Sequence, residues 1–212
     1  MHHSINNLTS IQNTLKTKKV KIIAVSKTFP INEILPLINQ GQIHFGENKV
    51  QEAIEKWQEI KQDFKNLQLH MIGKLQSNKV KFVVPLFDYI HSLDSLKLAK
   101  KIAEEQNKIK KRLKIFIQIN IGNEEQKNGI DEGDLEEFYK KCVNELELDI
   151  VGLMCLPPKD NNTKEYFVKM KNLAQKINVK ELSMGMSNDY LDAAKHGATY
   201  LRIGSKVFGN RN

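Results

Sequence analysis

Three short segments carry residue types whose spacing suits chemistry. In Lys21-Ile-Ile-Ala-Val-Ser-Lys27-Thr, Lys27 follows five consecutive uncharged residues. A lysine at the end of such a run is partly desolvated, which weakens its hold on a proton and suits its amine to condense with a carbonyl. The plain alternative is a surface lysine just past a strand. In Met184-Gly-Met-Ser187-Asn-Asp189, an apolar stretch passes through glycine into residues that start helices. Ser187 can cap free backbone N–H groups there, and those donors with the helix dipole favour a bound phosphate. The third segment is Arg202-Ile-Gly204-Ser205-Lys-Val-Phe-Gly209. It offers a glycine that lets backbone approach a ligand, with a hydroxyl beside it. Arg202 is unusual by type, because Arg112 and Arg211 are the only other arginines among 33 basic residues.

These residues need elements to position them. Short apolar, β-branched runs over 20–25, 43–46, 67–72, 89–93, 114–120, 149–156, 181–186 and 200–203 read as strands. Between them, apolar residues recur at three- and four-residue spacing, as in Val50, Ala53, Ile54, Trp57 and Ile60. Similar helical patterns run from Leu135 to Leu146 and from Phe167 to Ile177, with shorter ones over 31–39, 76–83, 95–108 and 188–196. Gly197 stands at the C-cap position of the last of these, and an amphipathic stretch over 5–15 precedes the first strand. Eight strands alternating with helices, without a linker, predict a single (β/α)8 TIM-type barrel domain over residues 1–212 with an extra N-terminal helix. Catalytic and binding residues of that fold sit where strands end, and its phosphate site lies in the loops after strands seven and eight. Ser187 and the 202–205 segment fall on those two loops. Strand alternation puts Tyr200, Arg202 and Gly204 inside the barrel and Leu201 and Ile203 against the helices. A buried guanidinium needs an acceptor, either a carboxylate or a ligand heteroatom.

Composition narrows the class. The 212 residues are 40% apolar and 27% charged, as in an ordinary globular protein. No run approaches the roughly 20 apolar residues of a membrane span. Met1-His2-His3-Ser4 lacks the apolar core of a secretory signal, so a cytoplasmic location is expected, with no membrane partner. Two cysteines, Cys142 and Cys155, exclude a disulfide framework. The net charge of +8 is spread along the chain with few interleaved aromatics, so nucleic acid is not the expected partner. His44, His70 and His91 lack ligand spacing and read as packed or hydrogen-bonded.

With these residues in view, the chain resembles the YggS/PROSC family of pyridoxal 5′-phosphate (PLP) binding proteins, implicated in PLP homeostasis and related to the barrel domain of alanine racemase. The resemblance runs through Ile23-Ala-Val-Ser-Lys27-Thr, Phe45-Gly-Glu-Asn48, His70-Met-Ile-Gly73, Leu75-Gln-Ser-Asn-Lys79, Lys127-Asn-Gly129, Gly152-Leu-Met154, Ser183-Met-Gly-Met-Ser187, Arg202-Ile-Gly204 and Phe208-Gly209. It implies that Lys27 forms a Schiff base with PLP, that Ser187, Gly204 and Ser205 hold the phosphate, that Asn48 lines the ring, and that Arg202 faces the pyridine nitrogen. It assigns no mechanism to the Lys127-Asn-Gly129 motif. A guanidinium does not readily surrender a proton, so it leaves that nitrogen unprotonated and the ring a weaker electron sink. The expected role is therefore to hold PLP and pass it to PLP-dependent apoenzymes, without catalytic turnover and with no metal. The alternatives are an amino-acid racemase using PLP, although the relatives with that activity carry a further C-terminal domain for which no sequence remains after Asn212, and a phosphate-binding isomerase using Glu47 or Asp94.

Overall fold

The computed structural model describes residues 2–15, 19–124, 128–158, 160 and 162–209. Helix α1 (His3–Leu15) comes first and buries Leu8, Ile11 and Leu15. The strands are β1 (Lys21–Val25), β2 (His44–Glu47), β3 (Gln68–Met71), β4 (Tyr89–Leu93), β5 (Lys114–Ile119), β6 (Asp149–Cys155), β7 (Glu181–Ser183) and β8 (Tyr200–Ile203). Each pairs in parallel with its sequence neighbour, and β8 closes on β1 through Lys21 opposite Tyr200 and Ala24 opposite Ile203. The result is the expected (β/α)8 barrel.

Helices α2 (Ile31–Asn39), α3 (Val50–Trp57), α4 (Ile60–Asp63), α5 (Val80–Leu86), α6 (Leu96–Ile109), α7 (Leu135–Lys140), α8 (Thr163–Lys176) and α9 (Tyr190–Lys195) fill the connections. Ser95 caps α6 by accepting from the Leu98 amide at 3.4 Å. Gly197 follows α9 with φ of +100°, the left-handed geometry anticipated for its position. The 50–60 pattern breaks into α3 and α4. A last short helix, α10 (Ser205–Phe208), follows β8 directly. Its four residues are too few to show a helical period, which is why the sequence pattern does not reveal it.

The largest departure from the predicted strands is at the seventh, which ends at Ser183 rather than at residue 186. Gly185 takes φ of +91°, a conformation no ladder continues, and a Cβ there would approach Leu201 Cδ2 to 2.9 Å. The turn therefore requires glycine, and it swings the following loop out of the strand direction.

Packing has two layers. A large cluster between strands and helices contains Phe45, Trp57, Phe167, Leu201 and Ile203. A smaller one inside the barrel contains Ile23, Tyr89, Phe116, Met154 and Tyr200. Inward and outward residues of β8 thus alternate as expected. The interior differs from the branched aliphatic filling usual for this fold. His44, His70 and His91 stand among the tyrosines, with His70 stacked on Tyr89 at 4.2 Å and His91 on Phe116 at 4.2 Å. At the strand starts, the Lys21 ammonium donates to the Tyr200 hydroxyl at 2.9 Å, and that hydroxyl donates to Tyr89 at 3.3 Å. No helix among the described residues is long and apolar enough to cross a membrane.

Gly152 of β6 has no room for a side chain, since a Cβ would collide with the Glu181 carbonyl on β7. Gly152→Ala should therefore cost about 1–3 kcal/mol of unfolding free energy in a urea titration, the usual range for overpacking. Gly133→Ala, where nothing lies within 4 Å, should leave the midpoint unchanged. Equal midpoints for the two variants would contradict the β6–β7 contact.

Candidate functional site

The turn that carries Lys27 is fixed from both sides. Ser26, fully buried, donates through its amide to the Gly46 carbonyl at 3.1 Å and through its hydroxyl to Glu47 Oε1 at 2.8 Å. Lys56 of α3 donates to the Ser26 carbonyl at 2.8 Å and to Glu47 Oε1 at 3.0 Å. Trp57 Nε1 adds a third donor to the same oxygen at 3.0 Å, so its ring is both core and hydrogen-bond partner. After Lys27, Thr28 sits at φ of +70°, an uncommon conformation for a β-branched residue, and its amide donates to Glu52 Oε1. The half-buried Lys27 is thus held between two ordered neighbours. Glu47 itself is sealed. Burial raises its pKa against the opposing pull of Lys56, Trp57 and Ser26. This carboxylate supports the lysine turn and is not exposed to act on a substrate. Asp94, the other carboxylate considered, is half-buried just past β4, where burial raises its pKa.

Arg202 points into the barrel and is 4% exposed. Its acceptors are neither of the two expected kinds. Nη1 donates to Ser183 Oγ at 2.7 Å and Nη2 to the Cys155 carbonyl at 2.8 Å, and no carboxylate among the described residues lies within ion-pair distance. Register explains this: β8 lies beside β7, and β7 beside β6, so Ser183 and Cys155 are what the neighbouring strand ends supply. Burial depresses the arginine's proton affinity. Behind Ser183 runs a line of rings. His91 Nδ1 is 2.8 Å from Ser183 Oγ, His70 Nδ1 is 2.9 Å from His91 Nε2, and His44 Nδ1 is 3.0 Å from His70 Nε2. The three histidines are hydrogen-bonded, as their lack of ligand spacing suggests. Burial pushes His70 and His91 well below the usual imidazole range, with His91 and Arg202 respectively adding repulsion. Burial followed by Lys21 and Lys114 lowers His44 to about 4.

The two phosphate-loop candidates meet, though not as the sequence suggests. Ser187 does not cap α9. The Gly185 turn carries it across to β8, where its hydroxyl accepts from the Lys206 amide in α10 at 3.3 Å, while Asp189 Oδ1 accepts from the Met186 amide at 2.6 Å. Gly204 lies against Val25 of β1, and Ser205 is exposed at the start of α10. Asn48 directly follows β2, and its buried Oδ1 has no partner among the described residues. Lys27, Asn48, Ser187, Arg202, Gly204 and Ser205 therefore come from the ends of four consecutive barrel strands, β7, β8, β1 and β2.

The sequence matches the family described as alanine racemase, N-terminal domain, over residues 2–212. It is 39% identical to the pyridoxal phosphate homeostasis protein of Haemophilus influenzae, across 98% of this chain and 95% of that one. The chain belongs to the pyridoxal phosphate homeostasis protein family. The structure of the family member PipY of Synechococcus elongatus with PLP bound superposes with a TM-score of 0.87 at 34% identity, covering 97% of this chain and 100% of that chain. Alanine racemase of Clostridium difficile shares the fold at a TM-score of 0.77 and 19% identity, and this chain covers 57% of it.

Several supporting residues of this family member escape sequence reasoning. Ser183, Ser26 and Lys56 act only through partners far away in sequence, and their types are common. The alternation that puts Arg202 inside does put Ser183 inside too, a signal that could have found it. The Lys127-Asn-Gly129 motif gains a partial account. Lys127 lies outside the described residues, but Gly129, at φ of +127°, lets the chain pass close to β5, where a Cβ would lie 2.5 Å from the Asn120 amide. Ile130 then donates to the Gln118 carbonyl at 2.9 Å and accepts from Asn120 at 3.0 Å, extending the sheet at the mouth. The loop 157–163 includes residues 159 and 161, which also lie outside the described residues.

Two measurements check this geometry. Glu47→Ala removes the acceptor shared by Ser26, Lys56 and Trp57 and leaves Lys56 only Glu52 and the Ser26 carbonyl, so it should cost about 1–3 kcal/mol in urea unfolding, with Glu47→Gln costing less. The histidines bind fewer protons folded than unfolded, so their contribution is complete above the ordinary value of 6.5 and is lost as pH falls toward about 4. Tm should drop steeply across that interval, and the drop should shrink in His70→Gln; identical pH slopes for the two proteins would refute neutral burial.

Proposed function

We propose that the chain is a cytoplasmic PLP-holding protein, a single barrel domain over residues 1–212 that retains the cofactor and releases it to PLP-dependent apoenzymes without turning over a substrate. The observation that carries this reading is the convergence of a positioned lysine, two hydroxyl-bearing loops and a buried arginine on four adjoining strand ends. Two features fit the group specifically. Arg202 has committed two of its five N–H donors to the protein, which leaves donors for a ring nitrogen. At the mouth, a Cβ on Gly204 would touch only Val25, at 3.5 Å, so packing does not demand glycine there, whereas a phosphate approaching the backbone does. PLP brings an aldehyde and an anionic phosphate.

In this reading Lys27 Nζ condenses with the aldehyde, water leaving, and tethers the cofactor. Ser187, Gly204 and Ser205 receive the phosphate, and Asn48 lines the ring. Arg202 donates to the ring nitrogen and supplies no proton, which disfavours carbanion formation at a bound amino acid. The names of the relatives, pyridoxal phosphate homeostasis protein, and the PLP held by PipY support the same cofactor for this chain.

Purified protein given PLP should turn yellow, and borohydride should fix one pyridoxyl group on Lys27 by peptide mass; Lys27→Ala should show neither. Ser205→Ala should weaken PLP binding by about tenfold, the worth of one hydrogen bond to a charged group, while leaving the affinity for unphosphorylated pyridoxal unchanged. Loaded protein mixed with a PLP-requiring apoenzyme should restore its activity. Rapid racemisation of L-alanine abolished by Lys27→Ala would replace this reading with an enzymatic one.

A further inference from the structure

The chain of rings behind Arg202 has a direction that donor counting determines. A guanidinium has no acceptor, so the 2.7 Å contact must run from Arg202 Nη1 to Ser183 Oγ. The Ser183 hydroxyl proton then needs an acceptor of its own in a fully buried position, and among the described residues the one within reach is His91 Nδ1, at 2.8 Å. Were His91 to donate instead, the hydroxyl proton would be left buried and unpaired, at a cost the alternative avoids. With Nδ1 accepting, neutral His91 carries its proton on Nε2 and donates to His70 Nδ1 at 2.9 Å; His70 in turn donates from Nε2 to His44 Nδ1 at 3.0 Å. The line ends at His44, half-buried at the start of β2. All three imidazoles are therefore Nε2–H tautomers, and every proton in the line points away from Arg202.

We propose that Ser183, His91, His70 and His44 form a polarised hydrogen-bond chain that positions Arg202 and keeps proton donors other than its guanidinium away from the cofactor's ring nitrogen. The cofactor part of this inference rests on the PLP reading above; the polarity of the chain does not. The surroundings oppose reversal by protonation. Lys21 and Lys114 face the His44 end, with Asp88 the opposing charge; Tyr89 and Tyr200 flank His44 and His70, Lys61 adds its charge to His70, and Arg202 stands at the His91 end. Cations thus predominate at both ends of a desolvated line of neutral rings. These four residues are positioning residues, since Arg202 alone would touch the ring.

The test begins on protein without PLP, labelled with nitrogen-15 in histidine, by imidazole N–H correlation spectroscopy at about pH 7.5. His44, His70 and His91 should each show a protonated Nε2 and an unprotonated Nδ1. An Nδ1–H tautomer or an imidazolium at any of them overturns the proposal. Ser183→Ala should free His91 Nδ1 and mix its tautomers, and Ser183→Thr should restore the single form; an unchanged His91 in Ser183→Ala also overturns it. Should Ser183→Ala fail to fold, His44→Gln, at the far end of the line, should perturb the His91 signals, and their constancy is equally decisive. On PLP-loaded protein, Ser183→Ala should shift the pH midpoint of the visible spectrum by about one unit, a tenfold change in proton affinity, with Ser183→Thr returning it. Failure of PLP to bind defeats the proposed function, while the tautomer measurement still decides the chain.

Discussion

The barrel is organised around a guanidinium buried with no carboxylate of the described residues within ion-pair distance, Asp189 acting on it only from farther off. A lone charge in a protein interior is costly unless its donors are matched. Arg202 meets that demand with neutral acceptors, a serine hydroxyl and a backbone carbonyl. The choice propagates. The serine must pass its own proton to an acceptor, which here is His91, and the His91 N–H needs an acceptor in turn, which is His70. Positions that most barrels of this fold fill with branched aliphatic residues are therefore given to three histidines and two tyrosines, packed ring against ring. The polar interior follows from placing this arginine at the end of β8.

Neutral acceptors also preserve the charge. A carboxylate beside Arg202 would cancel its field, whereas a hydroxyl and a carbonyl leave most of the positive charge available at the strand ends. On the adjoining strands the chain does the reverse with Lys56, whose charge is matched by Glu47 and Glu52 at the β1–β2–α3 corner. One cation is thus spent on structure, fixing the Lys27 turn, and the other keeps N–H donors uncommitted at the strand ends.

The fold was legible because it rests on local patterns. Strand and helix periods, read along the chain, give eight βα units in order, and strand alternation gives the inward face of β8. Errors fall where tertiary contacts override them. The apolar run Met184-Gly-Met predicts a strand seven three residues longer than the one that forms, because Gly185 turns it aside. Ser-Asn-Asp is cap-like locally, yet the partner of Ser187 is the Lys206 amide, brought near only by barrel closure. The same limit hides Ser183 and Lys56, whose roles exist only once distant strands and helices are assembled.

Histidines in a barrel core tie the setting of Arg202 to pH. Their burial as neutral rings means that acid does more than weaken the fold. Protonating any one of them places two N–H donors where the line provides one acceptor, so a proton arriving at His44 has to displace the His70 contact or break the chain. Above the range in which His44 titrates, near 4, the line is neutral and its direction is set by Arg202. Below it, a protonated His44 no longer accepts from His70, and the line loses its terminal acceptor. The orientation of Arg202 and the protonation of the barrel interior are thereby parts of one hydrogen-bonded system.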